Sequence, residues 1–138
     1  DLQSWMESPY EQNKKYPEQN IYGTSAGIHV RSKSESMIVY LLHDYKIPFR
    51  YESELELGQV TVYPDFTIRY PKTGKLFLWE HLGMMGDPTY RRNVLSKLQL
   101  YMEHGWIPSV NLILTFETKE YPLDMAYVEG LIKDYFVK

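Results

Sequence analysis

The chain has 138 residues, of which 43% are hydrophobic and 24% charged, and it contains no cysteine. Its length suits one compact domain, and its composition is that of an ordinary globular protein. Disulfides, thiolate nucleophiles and cysteine-based metal centres are excluded, and no apolar run reaches the roughly 18 residues that span a bilayer. The formal net charge of -3 at pH 7 disfavours a protein that holds nucleic acid by bulk charge alone.

The start of the chain and its residue usage set three further expectations. No basic and apolar leader opens the sequence, and together with the lack of cysteine this favours a cytoplasmic location. The first residue is Asp1 rather than Met, so we expect the domain to be a piece of a longer protein. The 13 tyrosines suit either a mixed polar and apolar core or stacking platforms for bases, and composition does not choose between them.

Residues 1–28 are rich in polar residues, proline and tyrosine and show no sustained period, which predicts an irregular arm with one short helical turn. Residues 29–138 are expected to form a single domain, with the arm on its surface. Helical spacing of apolar residues predicts a first helix over 32–46, which ends before Pro48.

A change to a period of two predicts three strands after this helix. They cover 49–57, 60–70 and 75–82, with a turn at Gly58 and an interruption at Pro64. Consecutive strands joined by short turns predict an antiparallel meander. Three glutamates alternate along the first strand and are expected on the solvent face of an edge strand: Glu52, Glu54 and Glu56.

The rest of the chain predicts a helix, a buried strand and a last helix. Asp87 is a good N-cap for a helix over 88–104, and Gly105 follows the end of that helix. The apolar run 110–116 suits a strand buried on both faces, and 122–136 suits a helix. The order helix, three strands, helix, strand, helix predicts an α/β (α+β) domain in which helices flank both faces of a mixed sheet.

The hairpin between the second and third strands brings two acids together. If Tyr70 and Lys75 flank its turn, Asp65 lies opposite Glu80, with Cβ atoms roughly 4.5 to 5.5 Å apart on one face of the sheet. Carboxylates at that separation repel each other, and a divalent cation such as Mg²⁺ or Mn²⁺ would relieve the repulsion. The alternative is that one acid is protonated or pairs with Arg69, which lies on the same face of the second strand.

The same residues resemble a known superfamily. Pro64-Asp65, followed 15 residues later by Glu80 on the next strand, resembles the PD-(D/E)XK nucleases, and the predicted elements over about 30–118 follow the αβββαβ order of their restriction-endonuclease-like core. The segment 79–85, Trp-Glu-His-Leu-Gly-Met-Met, resembles a little-characterised bacterial branch that is sometimes attached to larger DNA-processing proteins. The resemblance implies hydrolysis of DNA phosphodiester bonds with Mg²⁺ or Mn²⁺ held by the two acids.

The sequence departs from the superfamily at the lysine two positions after the second acid, where Leu82 stands. One substitute is His81, although alternation places its side chain on the opposite face, where it equally suits a hydrogen-bonded histidine among apolar residues. The backbone carbonyl of His81 is also an expected metal ligand. The better substitute is Lys97, which forms with Tyr101 a Lys-x-x-x-Tyr spacing that resembles the Gln-x-x-x-Tyr motif of RecB-like nucleases. The alternative for Lys97 is a solvated surface lysine.

The predicted helix that carries Lys97 has two neighbouring stripes. The core stripe is expected to consist of Leu95, Leu98 and Met102. The adjacent stripe contains four residues at helical spacing: Tyr90, Val94, Lys97 and Tyr101.

Glu35, at the start of the first helix, is the remaining candidate metal ligand, because nucleases of this superfamily often place an acid there. Ser32 and Glu35 equally have the Ser-x-x-Glu spacing of a capping box, and both roles stay open. Four basic residues outside the acidic centre are expected to contact DNA phosphates: Arg31, Lys33, Arg91 and Arg92.

The sequence therefore predicts a metal-dependent nuclease domain that acts on DNA. Lys97 would orient the attacking water or neutralise charge that develops on the phosphate, and Tyr101 would position the phosphate. The alternative is a catalytically inactive nucleic-acid-binding or protein-binding module that kept the fold after losing the strand lysine.

Overall fold

The computed structural model describes all 138 residues. The chain forms four α-helices: α1 (Leu2–Glu7), α2 (Lys33–Asp44), α3 (Pro88–Glu103) and α4 (Met125–Phe136). It forms eight strands: β1 (Tyr22–Gly23), β2 (His29–Val30), β3 (Phe49–Tyr51), β4 (Leu55–Leu57), β5 (Val60–Val62), β6 (Phe66–Arg69), β7 (Leu76–Leu82) and β8 (Leu112–Phe116). No helix is both long enough and apolar enough to cross a membrane.

The central sheet has four strands in the order β3-β6-β7-β8. The first three strands are antiparallel, and β8 lies parallel to β7. The β6–β7 hairpin pairs Phe66 with Trp79 and Thr67 with Leu78, which is the register expected from a turn at 71–74. The prediction of an α+β domain with a mixed sheet is therefore confirmed.

Helices cover both faces of this sheet. On one face, Phe66, Trp79 and Ile113 are buried in a large cluster with residues of α2 and α4. On the other face, Leu78 and Leu112 pack against buried residues of α3 and β4 in a smaller cluster. Because side chains alternate along a strand, Glu80 belongs to the second face and His81 to the first.

Side-chain caps set the starts of the helices. The Ser32 hydroxyl accepts a hydrogen bond from Glu35 N, and Asp87 Oδ1 accepts one from Thr89 N at 2.8 Å. The last helix begins three residues later than predicted because Asp124 caps it through Tyr127 N. The helices predicted over 32–46 and 88–104 are confirmed apart from one or two end residues.

Two of the predicted strands are each broken in two. The first breaks at Glu52, which has a left-handed φ of 50°, and the second at Pro64, which has no N–H to donate. Their inner halves, β4 and β5, leave the sheet as a separate hairpin. Its turn needs Gly58, where φ is +64° and a Cβ atom would lie 3.2 Å from the His104 ring. The prediction that Glu52 faces solvent is wrong, since this residue is buried.

The predicted core stripe of α3 is wrong for two of its three residues, since only Leu98 packs against the smaller cluster. Leu95 is 68% exposed and Met102 is 44% exposed, whereas Val94 and Tyr101 are buried against the sheet. The helix is rotated so that the Tyr101 hydroxyl reaches Glu80, a buried carboxylate that needs a hydrogen-bond donor. This rotation turns Lys97 toward the sheet as well.

The first 28 residues contain no buried residue and lie on the surface of the sheet domain. Apart from α1 they contain a 3₁₀ turn at Pro17–Gln19 and the short strand β1, which pairs with β2. The Arg50 guanidinium stacks on the Trp5 ring at 4.4 Å and donates a hydrogen bond to the Trp5 carbonyl. Four apolar side chains of this segment also pack against the large core cluster, namely Met6, Tyr22, Ala26 and Ile28. The segment is therefore attached through apolar as well as polar and stacking contacts.

Candidate active site

Asp65 and Glu80 meet where β6 begins. Asp65 directly precedes β6, and continuing the β6–β7 register past Phe66 and Trp79 places it beside Glu80. Asp65 Oδ2 accepts a hydrogen bond from His81 N at 2.7 Å, which holds the side chain against β7. Burial, followed by the negative charges of Glu80 and Glu35, raises the pKa of Asp65 well above its usual value. The site therefore concentrates negative charge.

Helix α3 supplies a cation and a hydroxyl to these acids. Lys97 Nζ lies 3.1 Å from Glu80 Oε1, and the Tyr101 hydroxyl donates to the same oxygen at 2.7 Å. One helical turn separates the two side chains, so they reach the same carboxylate from one stripe. Burial by itself lowers the pKa of Lys97, but the charges of Glu80 and Asp65 outweigh it and raise the pKa. Lys97 is therefore an ammonium at neutral pH.

The Tyr101 side chain stays protonated. Burial and then the charge of Glu80 raise the pKa of the Tyr101 hydroxyl, so it acts as a hydrogen-bond donor. The structure thus brings together four of the sequence-predicted residues, namely Asp65, Glu80, Lys97 and Tyr101. Their catalytic roles stay predictions.

Tyr90 is a member of this site to which the sequence assigned no role. It is half-buried at the start of α3, two turns before Lys97. Burial, and next the charge of Asp65, raises the pKa of the Tyr90 hydroxyl. The signal for it was present in the sequence, because Tyr90 shares the helical stripe of Lys97 and Tyr101.

Glu35 combines features of both roles that the sequence left open. Its backbone N–H donates to the Ser32 hydroxyl at 3.1 Å, as in a capping box, but its carboxylate accepts from Arg31 N at 3.0 Å rather than from the cap residue. The same oxygen accepts the Tyr51 hydroxyl at 2.8 Å. Burial is the largest cause of a raised pKa of Glu35, and the Glu35 charge in turn raises that of Asp65. The Glu35 carboxylate is therefore held by Arg31 N and the Tyr51 hydroxyl, and its role as a metal ligand stays a prediction.

The His81 ring lies on the face opposite Glu80. Its Nδ1 is 2.8 Å from the Thr115 hydroxyl and its Nε2 is 2.6 Å from Glu117 Oε1. The ring is buried and bound at both nitrogens, so it matches the alternative of a hydrogen-bonded histidine and not that of a lysine substitute. Only the backbone N–H of His81 touches a site acid, namely Asp65.

Glu117 was missed by the sequence reasoning. It follows β8, and its Oε1 also accepts the Ser34 hydroxyl while its Oε2 accepts Leu123 N. Burial tends to raise the pKa of Glu117, but the hydrogen bonds from Ser34, His81 and Leu123 outweigh it and lower the pKa. No local pattern marks this residue, because its partners come from three distant segments.

The predicted phosphate contacts differ in their availability. The Arg31 guanidinium is occupied, since it donates to Glu52 at 2.6 Å and to the carbonyls of Lys15 and Tyr16. Arg31 is therefore not free to bind a phosphate, contrary to the prediction. The other three side chains are exposed, although both arginines also donate hydrogen bonds at the start of α3: Lys33, Arg91 and Arg92.

Arg69 does not pair with the acids. Its guanidinium lies 4.9 Å from the centre of the Trp5 ring, and its Nε has no hydrogen-bond partner. The salt bridge of Glu80 is made by Lys97 instead. The alternative in which Arg69 neutralises the carboxylates is therefore wrong.

The donor atoms at the site fit a hydrated divalent cation. No group of three or more histidine, aspartate or glutamate side chains is close enough to form a full protein cage. Asp65 and Glu80 each use one oxygen for the contacts described above, and each has a second oxygen that accepts no hydrogen bond from the protein. Mg²⁺ is commonly held by one or two carboxylates together with water and substrate phosphate. This donor set suits Mg²⁺ or Mn²⁺ and not zinc.

Comparisons with known proteins give one distant relative of unknown activity. No protein-family model and no solved structure matches the chain. The chain is similar to the uncharacterized protein MJ1519 of Methanocaldococcus jannaschii, with 33% identity over 84 residues. The match covers 60% of this chain but only 7% of the relative, so a segment like this one lies within a much longer polypeptide there.

Proposed function

We propose that this domain is a metal-dependent nuclease that hydrolyses DNA phosphodiester bonds. The observation that carries the proposal is the position of Lys97, whose Nζ is 3.1 Å from Glu80 Oε1. A helical lysine is usually solvated, yet this one is turned toward two acids of the PD-(D/E)XK pattern. It supplies the cation that Leu82, which is buried, does not provide on the strand.

The side chains divide the chemistry between them. Asp65 and Glu80 would hold Mg²⁺ or Mn²⁺, which when bound polarises the phosphate and generates hydroxide near neutral pH. Lys97 neutralises negative charge that develops on the phosphoryl oxygens. Tyr101 donates its hydroxyl hydrogen to Glu80 and so fixes the orientation of that carboxylate.

The fold supports the same function. Helix α2, the strands β3, β6 and β7, helix α3 and strand β8 follow one another in the αβββαβ order that the superfamily resemblance implies. The β4–β5 hairpin is an insertion between the first two sheet strands. Asp65 directly precedes β6 and Glu80 lies on β7, so the two acids belong to the central antiparallel pair of this core, as the resemblance implies.

A cleavage assay tests this function. The full chain is incubated with supercoiled, linear and single-stranded DNA in Mn²⁺, and then in EDTA. Asp65→Asn and Glu80→Gln are each expected to abolish metal-dependent cleavage, and Asp134→Asn on the exposed face of α4 is the matched control. If both site variants cut DNA like the parent, Asp65 and Glu80 do not form the active site.

A second candidate is a catalytically inactive binding module. It is favoured by the direct ion pair between Lys97 and Glu80 together with the lack of a group of three metal-binding side chains. In this candidate the lysine replaces a metal rather than assisting one. A titration with Mn²⁺ separates the two, because an active site binds the ion only when Asp65 and Glu80 are both present.

A further inference from the structure

Large apolar side chains are exposed where the parallel strands β7 and β8 end. Met84 is 58% exposed, Phe116 is 52% exposed and Tyr121 is 78% exposed. We name the two aromatic residues Phe116 and Tyr121, together with Met84, the aromatic ledge. Phe116 ends β8, whereas Met84 and Tyr121 lie in the loops that follow β7 and β8. These two loops adjoin, since Met85 N donates to Glu117 O at 3.2 Å.

The aromatic ledge adjoins the carboxylates. Glu80 pairs with Leu114 and Leu82 pairs with Phe116, so Glu80 and Phe116 are on the same face of the sheet. Phe116 lies on the strand next to Glu80 and two residues further along it, which places their Cα atoms roughly 8 Å apart. A cavity of about 520 Å³ lies between the two loops, lined in part by Gly83, Met84 and Thr118. A polymer bound at Glu80 would therefore lie close to Phe116.

The charges near the aromatic ledge do not suit phosphates. The lining of the cavity carries Asp87 and Glu120 against Lys119, and the nearby Arg91 is bound to the Met85 carbonyl, so the local charges roughly balance. The whole chain has a net charge of -3, and Arg31 is occupied by Glu52. A duplex, which presents phosphates on its outside and stacks its bases inside, gains little here. A single strand can turn neutral base faces toward exposed rings.

We infer that the aromatic ledge stacks unpaired bases, so that the substrate of the candidate active site is single-stranded DNA. This inference rests on the proposed nuclease function for its link to cleavage. Stacking tolerates any sequence, because every base has an apolar face. Phe116 and Tyr121 supply the rings, and the acids lie next to the backbone of the same strand.

Binding is measured by fluorescence anisotropy in EDTA, which prevents metal-dependent cleavage. The full chain is titrated into a labelled oligo-dT, an abasic oligonucleotide of the same length and a duplex of the same length. The oligo-dT is expected to bind most tightly. Phe116→Ala and Tyr121→Ala are each expected to weaken oligo-dT binding about tenfold, and to leave the weaker abasic and duplex binding unchanged.

Two further variants guard against indirect effects. Phe116→Leu keeps an apolar side chain on β8 but removes the ring, and it is expected to weaken oligo-dT binding as Phe116→Ala does. Tyr127→Ala removes a tyrosine that is 55% exposed on α4, and its oligo-dT affinity is expected to be parental. Parental oligo-dT affinity of the Phe116 and Tyr121 variants, or equal affinity for duplex and oligo-dT, overturns the inference.

The remaining outcomes separate the aromatic ledge from the nuclease. Base-dependent oligo-dT binding without cleavage in Mn²⁺ supports the aromatic ledge and refutes the proposed function. Cleavage with no preference for single strands supports the proposed nuclease function and overturns the inference that the aromatic ledge stacks unpaired bases. If the variants turn a dimer into a monomer and leave DNA binding unchanged, this surface contacts a second copy of the chain and the inference falls.

Discussion

Glu80 and His81 are neighbours on β7, yet they belong to two very different polar regions. On the Glu80 face, an open site consists of two carboxylates, Lys97 and Tyr101. On the His81 face, a closed cluster joins the ring to Thr115 and Glu117, with both ring nitrogens bound. One strand thus carries a carboxylate with an unused acceptor oxygen on one side and a histidine with both ring nitrogens bound on the other.

The pKa shifts of two acids express this difference. Asp65 has a raised pKa because it is buried beside other negative charges, whereas the pKa of Glu117 is lowered because three donors outweigh its burial. An acid whose ionised form is unfavourable in the folded protein gains from an added cation. An acid whose hydrogen bonds are complete gains nothing from one. The proposed function therefore assigns catalysis to the open site, and we expect the closed cluster to contribute to stability.

Among variants that keep both carboxylates, the largest expected effect comes from Lys97→Ala. If Lys97 contacts charge that exists only in the transition state, its removal lowers kcat by a factor on the order of 10² or more, with little change in Mn²⁺ affinity. Lys97→Arg is expected to restore activity only in part, since a planar guanidinium does not reproduce a compact ammonium. Single-turnover cleavage and a Mn²⁺ titration measure the two quantities.

The control for this prediction is Lys72→Ala, which removes an exposed lysine from the β6–β7 turn and is expected to leave kcat unchanged. Circular dichroism of each variant checks that the fold is retained. A Lys97→Ala protein with parental kcat would move the domain to the class of inactive binding modules.

Glu117→Ala is expected to act on stability instead. It leaves the Ser34 hydroxyl, the His81 ring and Leu123 N without their acceptor, and unsatisfied buried donors typically reduce the free energy of unfolding by about 2 kcal/mol. The free energy is measured by urea denaturation, and kcat of the folded protein is expected to change less than tenfold. Glu117→Gln retains one acceptor oxygen and should lose less stability.

The opposite result would break the comparison between the two faces. If Glu117→Ala abolished cleavage while the free energy of unfolding stayed parental, the closed cluster would belong to the active site. Such an effect would act through the backbone N–H of His81, which donates a hydrogen bond to Asp65.

Local signals in the sequence were sufficient for the hairpin and for most helix ends. The turn at 71–74 fixes a register in which Asp65 and Glu80 are neighbours, and Asp87 caps α3 as its side chain predicts. The sequence also allowed the lysine near the acids to be predicted, because Lys97 and Tyr101 are one helical turn apart. Each of these features depends on residues close together in the chain.

Features that depend on distant partners were not predictable in this way. The side of α3 that faces the sheet is decided by Glu80, so hydropathy selected Leu95 and Met102 wrongly. At the break, Glu52 is buried and pairs with Arg31, and alternation along the strand gives no sign of that contact. A single sequence records neither contact, since tertiary packing overrides local pattern at both places.

The smallest expected effect is a pH-dependent gain of stability in Asp65→Asn. The folded-state pKa of Asp65 is raised, so its contribution to stability is present below its unfolded pKa and lost as pH rises through the folded value. The amide keeps an oxygen for His81 N but carries no charge. In EDTA at pH 8 the free energy of unfolding is therefore expected to exceed that of the parent, by on the order of 1 kcal/mol.

The pH window and added metal make this prediction specific to the open site. Urea denaturation below about pH 3.9, the unfolded pKa of aspartate, is expected to show no difference between variant and parent. Adding Mn²⁺ at pH 8 should stabilise the parent and not Asp65→Asn, because only the parent binds the ion. A variant that is less stable than the parent at pH 8 would mean that Asp65 is as well satisfied as Glu117, which removes the electrostatic distinction between the two faces.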